Sequence, residues 1–188
     1  DSGHAPYGER DAAHIEARSR AITAYLRAQH HIKALVVACN TATAAAIDRL
    51  RVEHSGLPII GVEPALKPSA ASSRTQRIGV MATRGTLAST RFASLLASVP
   101  GDAAFICQPC DGLAEAIEHA AGHDDATDLI AMCARYTRAI GQFGLEVGQV
   151  DTLVLGCTHY PFAQAHLRQL VGPEVAILST GEPVARQT

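Results

Sequence analysis

Two stretches of the chain place a cysteine between an apolar run and the start of a helix. Residues 34–43 read ALVVACNTAT, so Cys39 closes the run and Asn40 and Thr41 follow it. Residues 151–161 read DTLVLGCTHYP, with Cys157, Thr158 and His159 at the end of a short apolar strand and Pro161 opening a helix. A thiolate at a helix N-terminus is stabilised by the free N–H groups and the helix dipole. Two such thiols flanking one carbon, one deprotonated and one protonated, take a proton from one face and return one to the other. That is stereoinversion without a cofactor. Backbone N–H groups and hydroxyls of residues 40–41 and 158–159 suit carboxylates, as helix N-termini do. His159, two residues beyond Cys157, would orient or protonate that thiol.

The same residues allow other readings. Free cysteines are commonly small buried hydrophobes, so both thiols are open to a purely structural role. Cys39, Cys157 and His159 also supply zinc-ligand types, although without the close ligand pairing that zinc sites usually show. Cys107-Gln108-Pro109-Cys110 has redox-pair spacing after an expected strand, against packing plus helix capping as the alternative. Cys133 falls inside a helical pattern and reads as core. From spacing alone, Asp1 and Glu118 read as surface acids.

Strands alternating with helices position these groups. Helix is expected over residues 11–30, with Ile15, Ile22 and Leu26 on its buried side, followed by a strand at 34–38 and a helix to about His54. Further strands are expected at 58–62, 77–82, 103–107, 151–156 and 174–178. Residues 63–73 read as a crossover, and Thr86 as the N-cap of a helix over 87–97. Helices are also expected through His119, over 126–143 and over 161–171, with a polar turn at 122–125 between the first two and a last helix barely begun after Gly181. The alternation predicts α/β architecture with doubly wound parallel sheets, in which ligands bind beyond the strand carboxyl ends.

Composition bounds the function. A chain of 188 residues buries a sizeable core in one or two domains, and a net charge of −2 gives no electrostatic case for nucleic acid or an anionic membrane. No apolar run approaches a membrane span, and no signal segment is present. Five cysteines without disulfide-scaffold spacing point to a reducing cytoplasm. No Gly-rich phosphate loop supports nucleotide binding.

Val37-Ala38-Cys39-Asn40-Thr41-Ala42-Thr43 together with Gly156-Cys157-Thr158-His159-Tyr160-Pro161 resembles the glutamate racemases of the aspartate/glutamate racemase family. Pro6-Tyr7-Gly8, Gly61-Val62-Glu63-Pro64 and Ala82-Thr83-Arg84-Gly85-Thr86 extend the likeness from Asp1 to about Glu182. The resemblance implies two pseudosymmetric flavodoxin-like lobes with the active site in the cleft between them. It implies interconversion of L- and D-glutamate for peptidoglycan synthesis, with no cofactor and no metal. The thiol at Cys39 would deprotonate the D-isomer and that at Cys157 the L-isomer, assisted by His159 and by the carboxylates of Asp1 and, second, Glu118. Tyr7, Gly8, Asn40, Thr41, Thr86, Thr158 and His159 would bind substrate.

The expected lobes are residues 1–66 with 175–188, and residues 67–174. The family opens with a strand ending in Asp-Ser-Gly ahead of the Pro-Tyr-Gly motif, whereas Asp1-Ser2-Gly3 matches a later segment. The first strand is therefore expected to be missing from the first lobe, with the chain a trimmed piece of a longer parent, because a sheet without an interior strand exposes apolar surface. Expected partners are the small-molecule substrate and a second copy of the chain in a homodimer, with no nucleic acid and no membrane. The alternatives are a racemase of aspartate or another amino acid, and a binding protein that holds an acidic amino acid without turnover.

Overall fold

The structure, a computed structural model, describes residues 1–122 and 125–188. The polar turn expected at 122–125 falls partly on residues 123 and 124, which lie outside the described residues. After a short 3₁₀ turn at Ser2–His4, helix α1 runs Ala12–His30, started by Asp11, whose carboxylate accepts the His14 N–H. Its buried positions are Ile15, Ser19 and Thr23. Ile22 and Leu26, expected in the core, instead line an open cavity.

Strand β1 (Leu35–Val37), helix α2 (Asn40–Glu53) and strand β2 (Ile59–Gly61) complete the first lobe. β1 and β2 pair in parallel, Leu35 opposite Ile59 and Val37 opposite Gly61. The Thr43 hydroxyl donates to the Val37 carbonyl and accepts from the Val62 N–H, each at 3.1 Å, and so ties α2 to the ends of both strands. Ala46, Ile47, Leu50 and Ile59 form the small core of this lobe. The other edge of β1 has no strand neighbour among the described residues, and Val36 on it is 40% exposed.

Residues 63–73, expected as a plain crossover, contain helix α3 (Leu66–Ser72), whose Leu66 and Ala70 pack into the second lobe. Strand β3 (Arg77–Ala82) follows with the expected bounds. The expected helix over 87–97 is divided into α4 (Arg84–Leu87) and α5 (Thr90–Ala97). Thr86 therefore does not cap a helix; Thr83 caps α4 and Ser89 caps α5, each hydroxyl accepting an N–H three residues on. Strand β4 (Ala104–Pro109) leads to α6 (Leu113–Gly122) and then α7 (Thr127–Ile140).

Strand β5 (Thr152–Leu155) is buried along its length, as its unbroken apolar run requires. A 3₁₀ turn at Tyr160–Ala163 precedes α8 (Gln164–Val171), strand β6 (Ala176–Leu178) and α9 (Gly181–Gln187). The larger sheet is wholly parallel in the order β4-β3-β5-β6. Residues 175–178, expected with the first lobe, belong here: Ala176 to Leu178 pair with Thr152 to Val154, and Leu178 packs beside Val80 and Val154. Only α9 returns to the first lobe, against β2.

From β3 the chain goes out to β4 on one side, then returns to β5 on the other. Strand order thus reverses between β3 and β5, and the crevice beyond their carboxyl ends is where doubly wound sheets take ligands. Thr83 and Cys157 follow those ends.

Candidate active site

Cys39 ends the segment after β1 and is the N-cap of α2. Its extended backbone (φ −150°, ψ 123°) turns the sulfur back onto the helix, where it accepts the Ala42 N–H at 3.4 Å. The thiol is half-buried and lies in the wall of a cavity of about 440 Å³. Apolar residues Ile22, Leu26, Val37 and Leu50 line much of that cavity, while Asp1, Tyr7, Glu118 and His159 supply its polar rim.

The second thiol is more enclosed. Gly156 donates to the Met81 carbonyl at 2.7 Å, and a Cβ there would stand 3.0 Å from both Met81 O and Ala82 Cβ. Glycine thus suits the close approach of β5 to β3, and Cys157 after it packs into the core of the second lobe. Cys157 is 7% exposed, and burial pushes its thiol up to about 11. The His159 backbone N–H pulls in the opposite direction, and the Cys39 charge adds to the rise. Cys157 therefore rests protonated at neutral pH.

A chain of side chains leads away from Cys157. Its sulfur lies 3.8 Å from His159 Nδ1, and His159 Nε2 lies 2.7 Å from Glu118 Oε1 on α6. The carboxylate accepts, so Nε2 carries the proton and the Nδ1 lone pair faces the thiol. Asp1 is held differently. Its carboxylate accepts the Tyr7 hydroxyl and a fork from Arg18, whose Nη2 and Nε lie 2.6 and 3.2 Å away. The sequence reading missed Arg18, and nothing in its helical pattern marks it.

Asn40, Thr41 and Thr86 are placed on the other side of the first turn of α2. Asn40 is 3% exposed, and neither amide atom has a hydrogen-bond partner. Leaving such a group unpaired costs about 1–3 kcal/mol, so it is a group that water or a polar ligand would satisfy. Asn40 and Thr86 line a recess of about 10 Å³. The Thr41 hydroxyl is 2.9 Å from that of Thr83, which lies 3.0 Å from that of Thr86. All three are buried and join the two lobes. Thr83 was named only as part of the Ala82–Thr86 motif; the Thr-x-x-Thr spacing at a helix start was the available signal.

Gly8 lies against the same cluster, where a Cβ would stand 2.8 Å from Thr83 Cγ2. Thr158 sits half-buried between Cys157 and His159. Thus Cys39, His159, Glu118, Asp1 and Tyr7 share one cavity, Asn40 and Thr86 a neighbouring recess, and Gly8 and Thr41 the lobe junction.

Geometry lends no support to the zinc and redox readings of the cysteines. Among the described residues no group of three or more His, Cys, Asp or Glu side chains is placed to hold a metal ion. Cys107 is exposed on the edge strand β4, whereas Cys110 is buried, and both thiols are free. Burial raises both above the ordinary thiol range, the reverse of what a redox pair needs. Cys133 is core, as expected, and burial raises it to about 11.

A profile of the Asp/Glu/Hydantoin racemase family matches residues 1–188. A glutamate racemase of Ectopseudomonas mendocina is 49% identical over 187 residues, covering 100% of this chain and 68% of the relative. The crystal structure of Escherichia coli glutamate racemase with L-glutamate and the activator UDP-MurNAc-ala superposes with a TM-score of 0.84 at 30% identity, over 97% of this chain and 66% of that one. A glutamate racemase isoform from Bacillus anthracis gives a TM-score of 0.84 at 29% identity, over 100% of this chain and 67% of that one. The two-lobed α/β architecture and these relatives define the protein as a racemase, an isomerase. The chain belongs to the Asp/Glu/Hydantoin racemase family. It spans about two thirds of the length of these relatives.

Proposed function

We propose that the protein interconverts L- and D-glutamate by two-base proton transfer between Cys39 and Cys157. The observation that carries the reading is the pair of thiols at the carboxyl ends of β1 and β5, one at a helix N-terminus and one backed by His159 and Glu118. The likeness to named glutamate racemases supports glutamate as substrate.

With D-glutamate bound, the Cys39 thiolate takes the α-proton. The carbanion left behind accepts the proton of Cys157 on its opposite face and becomes L-glutamate. Cys39 then holds a proton and Cys157 is a thiolate, the starting form for the reverse direction. His159 Nδ1 faces that sulfur and orients it. Glu118 fixes the ring. Asp1, pinned by Arg18 and Tyr7, orients the substrate ammonium rather than moving protons.

The amide of Asn40, the hydroxyls of Thr41, Thr86 and Thr158, and the N–H groups at the start of α2 bind the carboxylates. Tyr7 and Gly8 form the facing wall. No step calls for a metal or cofactor.

In this reading the first lobe is residues 1–66 with α9, the second is residues 67–178, and substrate binds between them. The product serves peptidoglycan synthesis in the cytoplasm, and the working form is a homodimer. No described helix is long and apolar enough to cross a membrane, which is compatible with that setting.

The test is incubation with D-glutamate, and separately L-glutamate, in deuterium oxide with a metal chelator. Loss of the α-proton by NMR and appearance of the other enantiomer by chiral chromatography, from both sides, is the expected result. Turnover of aspartate alone moves the protein to a sister specificity. Thermal stabilisation by glutamate without α-proton exchange identifies a binding protein and overturns the proposal.

A further inference from the structure

The segment from Pro6 to Glu9 carries the first lobe onto the second. The Gly85 N–H reaches the Gly8 carbonyl at 3.4 Å, and Gly8 rests on Thr83. One residue on, Glu9 Oε1 accepts the Gly112 N–H at 2.8 Å. Gly112 immediately precedes α6, the helix that carries Glu118. The Arg84–Asp111 ion pair, at 2.5 Å, flanks this link, and Arg84 also feels the charge of Glu9.

Glu9 therefore connects two walls of the cavity: the loop that presents Tyr7 and the helix whose Glu118 holds His159. We propose that Glu9 is the latch of the cleft, a positioning residue that holds α6 against the Tyr7–Gly8 loop while substrate is enclosed and lets go for exchange. Its functional meaning rests on the racemase reading above. Elsewhere across the junction, Arg91 of α5 pairs with Asp48 and Glu63, and the link from Thr41 to Thr83 is buried and opens only by breaking a hydroxyl cluster. Glu9 is exposed, so water replaces its hydrogen bond at small net cost. A reversible catch has that property and a structural strut does not.

The rival explanation is that Glu9 only favours the start of α6 by placing a carboxylate at its N-terminus. Glu9→Ala and Glu9→Gln in the full chain separate the two. The buried Cys157 reports opening through its rate of alkylation by iodoacetamide, followed by peptide mass spectrometry. KM, kcat and melting temperature are measured alongside.

For a latch, Glu9→Ala raises the Cys157 labelling rate and the KM for glutamate by about three- to tenfold, with kcat changing less, and Glu9→Gln, which keeps an acceptor, recovers most of both. A lower melting temperature and lower kcat with labelling and KM unchanged assign Glu9 to helix capping and overturn the latch. If the unmodified protein fails to exchange the glutamate α-proton, the racemase reading falls. The labelling rates then decide the latch alone: faster labelling in Glu9→Ala supports it, and equal rates overturn it.

Discussion

Cys39 and Cys157 occupy equivalent places, each following a strand and preceding a helical turn, yet their surroundings differ. Cys39 is half-buried beside an open cavity, and its sulfur already accepts an N–H from α2. Cys157 is enclosed, its proton is held more firmly by burial, and His159 and Glu118 stand behind it. Pseudosymmetry of the chain is thus broken at the level of protonation. The free protein holds a proton on Cys157, the thiol that delivers it to the carbanion from D-glutamate in the proposed reaction. Enantiomers have equal energy, so kcat/KM in the two directions must be equal at every pH. The asymmetry between the thiols shows only in how each direction divides that ratio between kcat and KM.

Replacing the thiols breaks the comparison most severely. Cys39→Ser and Cys157→Ser should each lower racemisation by roughly 10²- to 10⁴-fold, the range for a positioned acid or base. Chiral chromatography measures it, and equal losses mean that both groups act in every turnover. Retention of most activity in either variant removes that cysteine from the mechanism.

Glu118→Gln sharpens the comparison, because Glu118 serves Cys157 and has no counterpart behind Cys39. Loss of the ring's anchor should cost about tenfold to a hundredfold in kcat. The fall in kcat should be unequal between the two directions while the ratio kcat/KM falls equally. Asp1→Asn, which leaves the Tyr7 and Arg18 side chains a neutral partner, should cost less than Glu118→Gln. The reverse order would make Asp1 the more important carboxylate.

Gly8→Ala tests the lobe junction that both thiols share. The new methyl would stand 2.8 Å from Thr83 Cγ2, so the hydroxyl cluster must shift. A destabilisation of about 1–3 kcal/mol is expected from denaturant unfolding, with a raised KM in both directions. An unchanged KM would show that the Thr41–Thr83–Thr86 cluster does not shape the site.

Much of this was legible in the residues. The apolar runs ending in Cys39 and Cys157, each followed by short polar residues, located both strands, both helices and the crevice. What pattern did not give was set by contacts distant in sequence. Periodicity put Ile22 and Leu26 on the buried face of α1, but it cannot tell a core from a cavity wall. Thr86 looked like a cap because a hydroxyl preceded an apolar helix; Thr83 and Ser89 take that role, leaving the Thr86 hydroxyl free to bond Thr83 and face Thr41. The run at 176–178 carried no sign of which sheet it would join. Glu118 meets His159 only because α6, after β4, packs against the turn at Tyr160–Ala163 that follows β5.

The smallest expected effect lies at the opposite end of β5 from Cys157. Asp151 is 4% exposed and accepts from the Ser73 hydroxyl at 2.6 Å, the Arg74 and Thr75 N–H groups at 2.6 and 2.8 Å, and the Thr152 hydroxyl at 2.9 Å. Burial alone would raise its carboxyl, but these donors outweigh burial and hold it below the ordinary range. A depressed folded value means that the unfolded chain takes up the proton first as pH falls. The stabilisation is therefore complete above the unfolded value of about 3.9 and is lost as pH drops through the folded one. Asp151→Asn keeps one acceptor and should cost about 1 kcal/mol at neutral pH. The difference from the unmodified protein should shrink in acid, measured by urea unfolding across that range. A constant difference would mean that shape rather than charge ties the segment after α3 to β5. Because Asp151 is remote from both thiols, kcat should stay unchanged, which separates the framework of the second lobe from its chemistry.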